Sequence, residues 1–406
     1  MQEQSRYVVG IDIGTRTVRC VVGHVGESGV PRIVGVGVTD NSGMRKGVVS
    51  HLAGPAAAID KALESAERMS GYQINEATLS VNGAHILSTK ADGMIAVGTH
   101  DGEVTHEDVY RLEEVATTGK VPANREIVEI VPHAYRLDGQ DNIKSPIGMS
   151  GTRLELKANV VSGLAPYIAN VRKSAEMAHV TARGVAPSVL AAARAVLTES
   201  QLENGVAVID LGAATTSVAV FEEGDLQHVA VIPMGAQNVT NDVAIGLQID
   251  PEIAEVVKVA HAQLDGAASG RAETKYEKQV YAFEQRDIDE IIEARYEEIF
   301  ELIAKELKKA GGIGRLPSGV VLVGGGAKVR GIVDFAKKTL GVAAKVGVPT
   351  GYAGVSDEVS GPESAAVIGL MLMDGMTDDE QPSASRASEV TKKAGGFISK
   401  LFARFK

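Results

Sequence analysis

The chain is poor in the residues on which several function classes depend. Its single cysteine, Cys20, excludes an internal disulfide framework and a thiolate metal cluster. The nine histidines are scattered and never pair as His-x-x-x-His, so no zinc motif is present. Tryptophan is absent and aromatics make up only 4% of the residues. With a net charge of −11 and no basic or aromatic stripe in its body, the protein should repel nucleic acid. Long apolar runs are missing too. The first residues, MQEQSRYVVGIDIG, enter a strand without a signal-peptide core, and the longest apolar run, near Ala365 to Met373, is too short to cross a bilayer about 30 Å thick. These absences predict a cytosolic protein without a transmembrane span.

Glycine is plentiful at 45 residues, hydrophobic content is 44%, and 406 residues leave room for two or three domains. Apolar runs predict strands at Tyr7 to Ile13, Val18 to Gly23, Arg32 to Val38, Val206 to Leu211, Thr216 to Phe221, Leu226 to Ile232 and Val320 to Val323. Helical periodicity covers Pro55 to Met69, Pro166 to Ala178, Pro187 to Leu197, Val239 to His261, Ile288 to Lys309 and Arg330 to Thr339. Between Val81 and Ser162 the texture changes. Alternating strands (Ile127 to Tyr135, Leu154 to Val161), a helix from His106 to Thr117 and the loop SPIGMSG predict a small α+β insertion.

One long-range echo carries chemistry. GIDIGTRTVRCVVG (Gly10 to Gly23) and VIDLGAATTSVAVF (Val208 to Phe221) are both an apolar strand ending in Asp-x-Gly, a small turn containing threonine, and a second apolar strand. Aspartate at the strand end can hold Mg²⁺ through its water shell, since magnesium prefers oxygen ligands and gives up water reluctantly. Glycine admits phosphate close to the backbone, and turn N–H groups with threonine hydroxyls cradle the anion. Either motif alone is compatible with an ordinary hairpin; two facing copies would clamp a phosphate chain. A third element, Gly324-Gly325-Gly326-Ala327, follows a strand and precedes a helix, where a flat ligand can lie against backbone. The other reading is a plain strand-to-helix turn.

The last fifteen residues, KKAGGFISKLFARFK, differ from everything before them. Phe397, Ile398, Leu401, Phe402 and Phe405 form one apolar stripe at helical spacing, and Lys392, Lys393, Lys400, Arg404 and Lys406 supply five positive charges with no acid. Residues 374 to 391 carry five acids and one base in a Gly/Pro/Ser-rich texture, the composition of a tether. A basic amphipathic helix on a tether predicts an anchor to an anionic membrane surface. The alternative is a terminal helix docked on the body.

Together, Asp12-x-Gly-Thr-x-Thr17, Asp210-x-Gly-x-x-Thr215 and the late triple glycine resemble the three nucleotide motifs of the actin/Hsp70/sugar-kinase superfamily. More closely, with VTNDVAIGL (Val239 to Leu247), AEVVKVAHA (Ala254 to Ala262), SPIGMSG, SAAVIGL (Ser364 to Leu370) and the tail, nearly the whole chain resembles the FtsA family of bacterial actin homologues. The resemblance implies an α/β, actin-like two-lobed ATPase fold with subdomain 1C inserted in place of 1B and a C-terminal amphipathic helix. It divides the chain into subdomain 1A (1–81, 164–198 and a return at 344–373), 1C (82–163), 2A (199–236 and 312–343), 2B (237–311), a linker (374–391) and the membrane helix (392–406). ATP with Mg²⁺ would occupy the cleft between the lobes. Asp12, Gly14, Thr15, Arg16 and Thr17 match the first phosphate turn; Asp210, Gly212, Ala213, Thr215 and Thr216 match the second. Gly235 and Asn238 border the phosphates, Glu255 and Lys258 lie near ribose and adenine, and Gly324, Gly325, Gly326, Ala327 and Lys328 lie under the adenosine. Asp12 and Asp210 would face the metal, mostly through water. Spacing alone leaves Glu255 and Lys258 open as a solvated pair on a helix face.

The implied function is an actin-like protein that polymerises and tethers the FtsZ ring to the cytoplasmic face of the plasma membrane at the division site, with weak ATPase activity at most. Its partners would be the FtsZ C-terminal peptide, further copies of itself and an anionic membrane. Arg295 is a candidate peptide contact; a helical pair with a glutamate four residues away is the other reading. Where relatives carry Gly-Gly this chain has Ala213-Ala214, which adds a Cβ and disfavours φ > 0. The segment Pro187 to Leu197 offers no Glu or Gln to orient water, so binding is better supported than turnover. The alternatives are a scaffold of a pilus or secretion platform and a small-molecule kinase, which would need an aspartate base that nothing marks.

Overall fold

The computed structural model describes residues 6–98, 102–266, 270–354 and 357–375. The expected tail helix, with Phe397, Ile398, Lys400, Leu401, Phe402, Arg404 and Phe405, lies outside the described residues, as does the linker beyond 375.

Two parts of the chain build sheets of the same topology. In the first, β1 (Arg6–Ile13), β2 (Thr17–Val25) and β3 (Pro31–Asp40) form an antiparallel meander. The two-residue strands β4 (Met44–Arg45) and β5 (Val48–Val49) make a small hairpin, and α1 (Ala53–Ser70) returns the chain to β6 (Glu76–Val81), parallel to β1. An inserted unit follows: β7 (Leu87–Ala96), α2 (His106–Thr117), β8 (Arg125–Leu137), β9 (Gln140–Ile143) and β10 (Arg153–Leu164). Helix α3 (Ala165–Met177) then leads to β11 (Thr181–Pro187), parallel to β6, giving the order β11-β6-β1-β2-β3.

Helices α4 (Ser188–Val196) and α5 (Glu199–Asn204) carry the chain to a second meander, β12 (Val206–Leu211), β13 (Thr216–Glu222) and β14 (Asp225–Ile232). After α6 (Ala236–Leu247), α7 (Pro251–His261), the hairpin β15 (Arg271–Tyr276) and β16 (Gln279–Glu284), and α8 (Gln285–Lys309), strand β17 (Val320–Val323) pairs parallel to β12. Helix α9 (Ile332–Leu340) precedes β18 (Ala344–Val346), parallel to β17, and α10 (Ala365–Asp374) closes the described chain. The order β18-β17-β12-β13-β14 repeats that of the first sheet strand for strand. Helices α4 and α10 pack on each other between the two sheets, α10 against β1 and α4 against β12.

Buried Val, Ile, Leu and Ala side chains fill the core of each lobe, and the insertion has its own small core around Leu112, Leu154 and Leu156. A capping box between Thr105 and Asp108 starts α2, which packs on β7 and β10. One feature of the insertion is unexpected. Leu87 on β7 pairs with Ala230 on β14, so the insertion's strands extend the second lobe's sheet to nine, β18-β17-β12-β13-β14-β7-β10-β8-β9.

The expected helix His106 to Thr117 and strands Val206 to Leu211 and Val320 to Val323 match residue for residue. The helical stretch Val239 to His261 does not hold as one. Gln248 turns left-handed at φ 55° after α6, and Pro251, lacking an N–H, opens α7 instead. Asp374, expected as the first residue of the tether, ends α10 and is completely buried.

Candidate functional site

The duplicated topology puts Asp12 and Asp210 at equivalent places, each next to last in the first strand of its lobe. The turns behind them close alike: Gly14 N–H donates to Thr17 C=O at 3.0 Å, and Gly212 N–H donates to Thr215 C=O at 2.9 Å. Ser80, at the end of β6, receives the Ile13 N–H at 2.8 Å, and the Asn41 amide donates to the Gly14 carbonyl at 2.7 Å, so the first turn is held from behind.

The two carboxylates lie close enough for their charges to interact. Loss of solvent raises the Asp12 carboxyl above its ordinary range, against hydrogen bonding from Ser80 and the charge of Arg19. Loss of solvent, with the Asp12 charge beside it, pushes Asp210 up to about 7. Two buried carboxylates that repel each other suit a divalent cation that keeps most of its water. Among the described residues no cluster of three or more His, Cys, Asp or Glu side chains is formed, so a site of this kind would rest on two acids and water.

The third expected element meets the second turn directly. Gly324 has φ 83°, and a Cβ there would stand 2.4 Å from Asp210 Oδ1, so glycine is required on both counts. Tyr296 donates its hydroxyl to Gly326 C=O at 3.2 Å, Ala327 is buried, and Gly325 faces open space. Lys328 forms an ion pair with Glu363 at 2.8 Å. Gly235 opens α6; a Cβ there would lie 2.5 Å from the Gly212 carbonyl, and Asn238 Oδ1 accepts the Gly235 N–H at 3.1 Å.

Glu255 and Lys258 are not a solvated surface pair. Their side chains are 13% exposed, meet at 2.7 Å and share Thr240, with Lys258 also donating to Ala236 C=O at 3.3 Å. Burial alone would raise the Glu255 carboxyl, but Lys258, Thr240 and Arg16 outweigh it and hold it below the usual range. Burial lowers Lys258 despite its partner. Arg16, from the first turn, reaches across the cleft to Glu255 at 3.6 Å.

Three of the expected positions have partners or backbone conformations that the sequence does not show. The Thr215 and Thr216 hydroxyls are both engaged within the protein, Thr215 accepting from the Asn82 amide at 3.3 Å and Thr216 donating to Met234 C=O at 2.9 Å. Neither Ala213 nor Ala214 takes a positive φ, so alanine costs this turn no backbone strain. Arg295 is paired neither with a glutamate four residues away nor with solvent. Its guanidinium forks onto Asp242 of α6, with Nη2 to Oδ1 at 3.0 Å, and also meets Glu298. Sequence reasoning missed Asn82, Ser80 and Asn41, single polar residues at strand ends that no motif marks.

Comparison with known proteins agrees with this layout. A family model described as cell division protein FtsA matches residues 207–369, and one described as the SHS2 domain inserted in FtsA matches 83–162. The chain is 33% identical to cell division protein FtsA of Pseudomonas aeruginosa over 375 residues, covering 91% of this chain and 89% of that one. It is 35% identical to the Bacillus subtilis protein of that name, covering 89% and 82%. The chain belongs to the FtsA family.

Solved structures share the fold of this FtsA-family chain at low identity. A chain of the PilM-PilN type IV pilus biogenesis complex superposes with a TM-score of 0.66 at 17% identity, covering 91% of this chain and 98% of that one. The MamK double helical filament gives 0.53 at 13%, covering 93% and 100%, and MreB5 of Spiroplasma citri bound to ADP gives 0.51 at 14%, covering 90% and 94%. The architecture is therefore actin-like, with the SHS2 insertion in the first lobe. Among the described residues no helix is long and apolar enough to cross a membrane.

Proposed function

We propose that this FtsA-family protein binds ATP with Mg²⁺ in the cleft, assembles with further copies of itself, and tethers the FtsZ division ring to the cytoplasmic face of the membrane. The observation that carries the nucleotide part is the repeated Asp-x-Gly turn, one in each lobe, with Asp12 and Asp210 close enough for their charges to interact. The free edge of Gly325 and the close packing of Gly324 on Asp210 leave backbone, rather than side chain, to meet an adenosine. Bound Mg²⁺ would neutralise phosphate charge; Asp12 and Asp210 would orient its waters, and Glu255 with Lys258 would fix the sugar. An FtsZ peptide reaching Arg295 would have to exchange with Asp242, so its own carboxylates are the groups that would compete.

The membrane part rests on the tail sequence. Each buried large apolar side chain is worth about 1.5–3 kcal/mol, and each Lys or Arg near an anionic surface adds about 1 kcal/mol. Helix ordering and shallow burial remove much of this, so single tails bind reversibly and assembled tails bind firmly. Titration of Mg·ATP into the full chain and co-sedimentation with anionic liposomes test the two parts separately. Asp210→Ala should weaken Mg·ATP binding and leave liposome binding intact, while truncation after Gln381 or Phe402→Glu should do the reverse. Wild-type Mg·ATP affinity in Asp210→Ala, or liposome binding by the truncated chain, would remove the corresponding half of this reading.

A further inference from the structure

A cavity of about 750 Å³ opens beside the two phosphate turns. Thr15, Arg16 and Ala214 form one wall, Gln237, Asn238 and Asn241 of α6 another, and the β4–β5 hairpin a third, through Met44, Arg45 and Lys46. The nucleotide reading above assigns nothing to this hairpin.

Its geometry is costly and specific. Strands β4 and β5 pair as Arg45↔Val48, leaving Lys46 and Gly47 as a two-residue turn with φ of 50° and 80°. Positive φ at both positions is the turn that favours Asn-Gly, so lysine at the first is a strained choice. The tip is not loose: a Cβ on Gly47 would stand 3.0 Å from Gly83 and 3.1 Å from Thr215 Cγ2, so the hairpin rests on the second phosphate turn. Arg45 and Lys46 are both exposed and form no ion pair among the described residues. With Arg16, which also meets Glu255 at 3.6 Å, they place three cations on a cavity whose only acidic lining residue is Asp40, in a chain whose net charge is −11.

We propose that Arg45 and Lys46, with Arg16, form a terminal-phosphate pocket that makes the cleft prefer a nucleoside triphosphate to a diphosphate. This rests on the nucleotide reading and extends it to residues outside the three motifs. A purine ring, being neutral, has no use for three cations, and the Gly324 to Ala327 turn already offers a flat backbone surface. The outermost phosphate, carrying most charge, is the group such a wall recognises.

Calorimetric titration of Mg·ATP and Mg·ADP into the full chain tests this, comparing wild type with the double variant Arg45→Gln/Lys46→Asn. Asparagine accepts the left-handed backbone at position 46, so the change removes charge without adding strain. The ATP:ADP affinity ratio should fall about tenfold or more, the worth of one charge-assisted hydrogen bond, with Mg·ADP affinity retained. An unchanged ratio overturns the proposal, and so does an equal loss for both nucleotides, which would mean general attraction rather than contact with the last phosphate. Should the double variant melt early, Arg45→Gln alone must still lower the ratio. If wild type binds neither nucleotide, the nucleotide reading falls and this pocket with it; if wild type binds both and only the ratio fails to move, the cleft assignment stands without the pocket.

Discussion

Asn82 holds Thr215: its side-chain amide donates to the threonine hydroxyl at 3.3 Å, while its carbonyl oxygen accepts from Ser217 Oγ at 3.2 Å. Asn82 follows β6 and is the last residue before the junction with the insertion, and Thr215 belongs to the second phosphate turn. The junction of the insertion and the nucleotide site therefore share one side chain.

Replacing Asn82 with alanine should be felt in both places. Thr215 and Ser217 are 3% and 0% exposed, so their hydroxyls would lose partners where water is scarce. The expected cost is about 1–3 kcal/mol, read as a lower urea midpoint, together with weaker Mg·ATP binding in titration. An Asn82→Ala chain with wild-type stability would show that the bridge contributes nothing in solution.

Asp210 predicts a pH dependence with a definite sign. Its carboxyl titrates near 7 when folded, against 3.8 as the ordinary value, so the folded state holds the proton more tightly than the unfolded state. The resulting stabilisation is complete below about pH 4 and is lost as pH rises through 7, when Asp12 and Asp210 are both charged. In metal-free buffer Asp210→Asn should shrink this slope to the part due to Asp12, whose carboxyl is also raised by burial, and should melt above wild type at pH 8. Magnesium must displace that proton, so its affinity for wild type should increase from pH 6 to pH 8. Thermal melts in chelator and magnesium titrations at both pH values check the two effects.

Asp374 predicts the largest stability loss. Its fully buried carboxylate accepts from Val9 N–H at 2.8 Å, Thr78 Oγ1 at 2.8 Å and Arg183 Nη1 at 2.9 Å, tying α10 to three strands of the first sheet. Asp374→Ala should cost about 3–5 kcal/mol, the usual penalty for breaking a buried charge pair. Asp374→Asn, which keeps an acceptor, should cost less. Denaturant unfolding of both variants gives the comparison directly.

What the sequence made legible was local. The Asp12 and Asp210 turns are continuous strand–turn–strand segments, and Gly324 to Ala327 is a continuous turn, so their patterns survive without knowledge of the fold. The partner of Arg295 was not legible because Asp242 lies 53 residues away on another helix, where spacing carries no information. The β15–β16 hairpin escaped notice because its turn, Glu277-Lys278, lacks glycine and asparagine; Glu277 takes a φ of 52° unannounced. Lys46-Gly47 did carry a turn signal between Met44-Arg45 and Val48-Val49, and reading it would have placed two cations beside the phosphate turns. Ala213-Ala214 misled in the opposite sense, since glycine elsewhere in a turn of this kind does not mean that φ must be positive here.

The pairing of Leu87 with Ala230 gives the insertion two masters. Its ends join the first lobe covalently, yet its strands continue the second lobe's sheet. Four strands lie beyond β14, and at about 4.8 Å per strand they form an arm roughly 19 Å long. An element joined to one lobe by its chain and to the other by hydrogen bonds thus bridges both, and its outer strand β9 stands farthest from the joint.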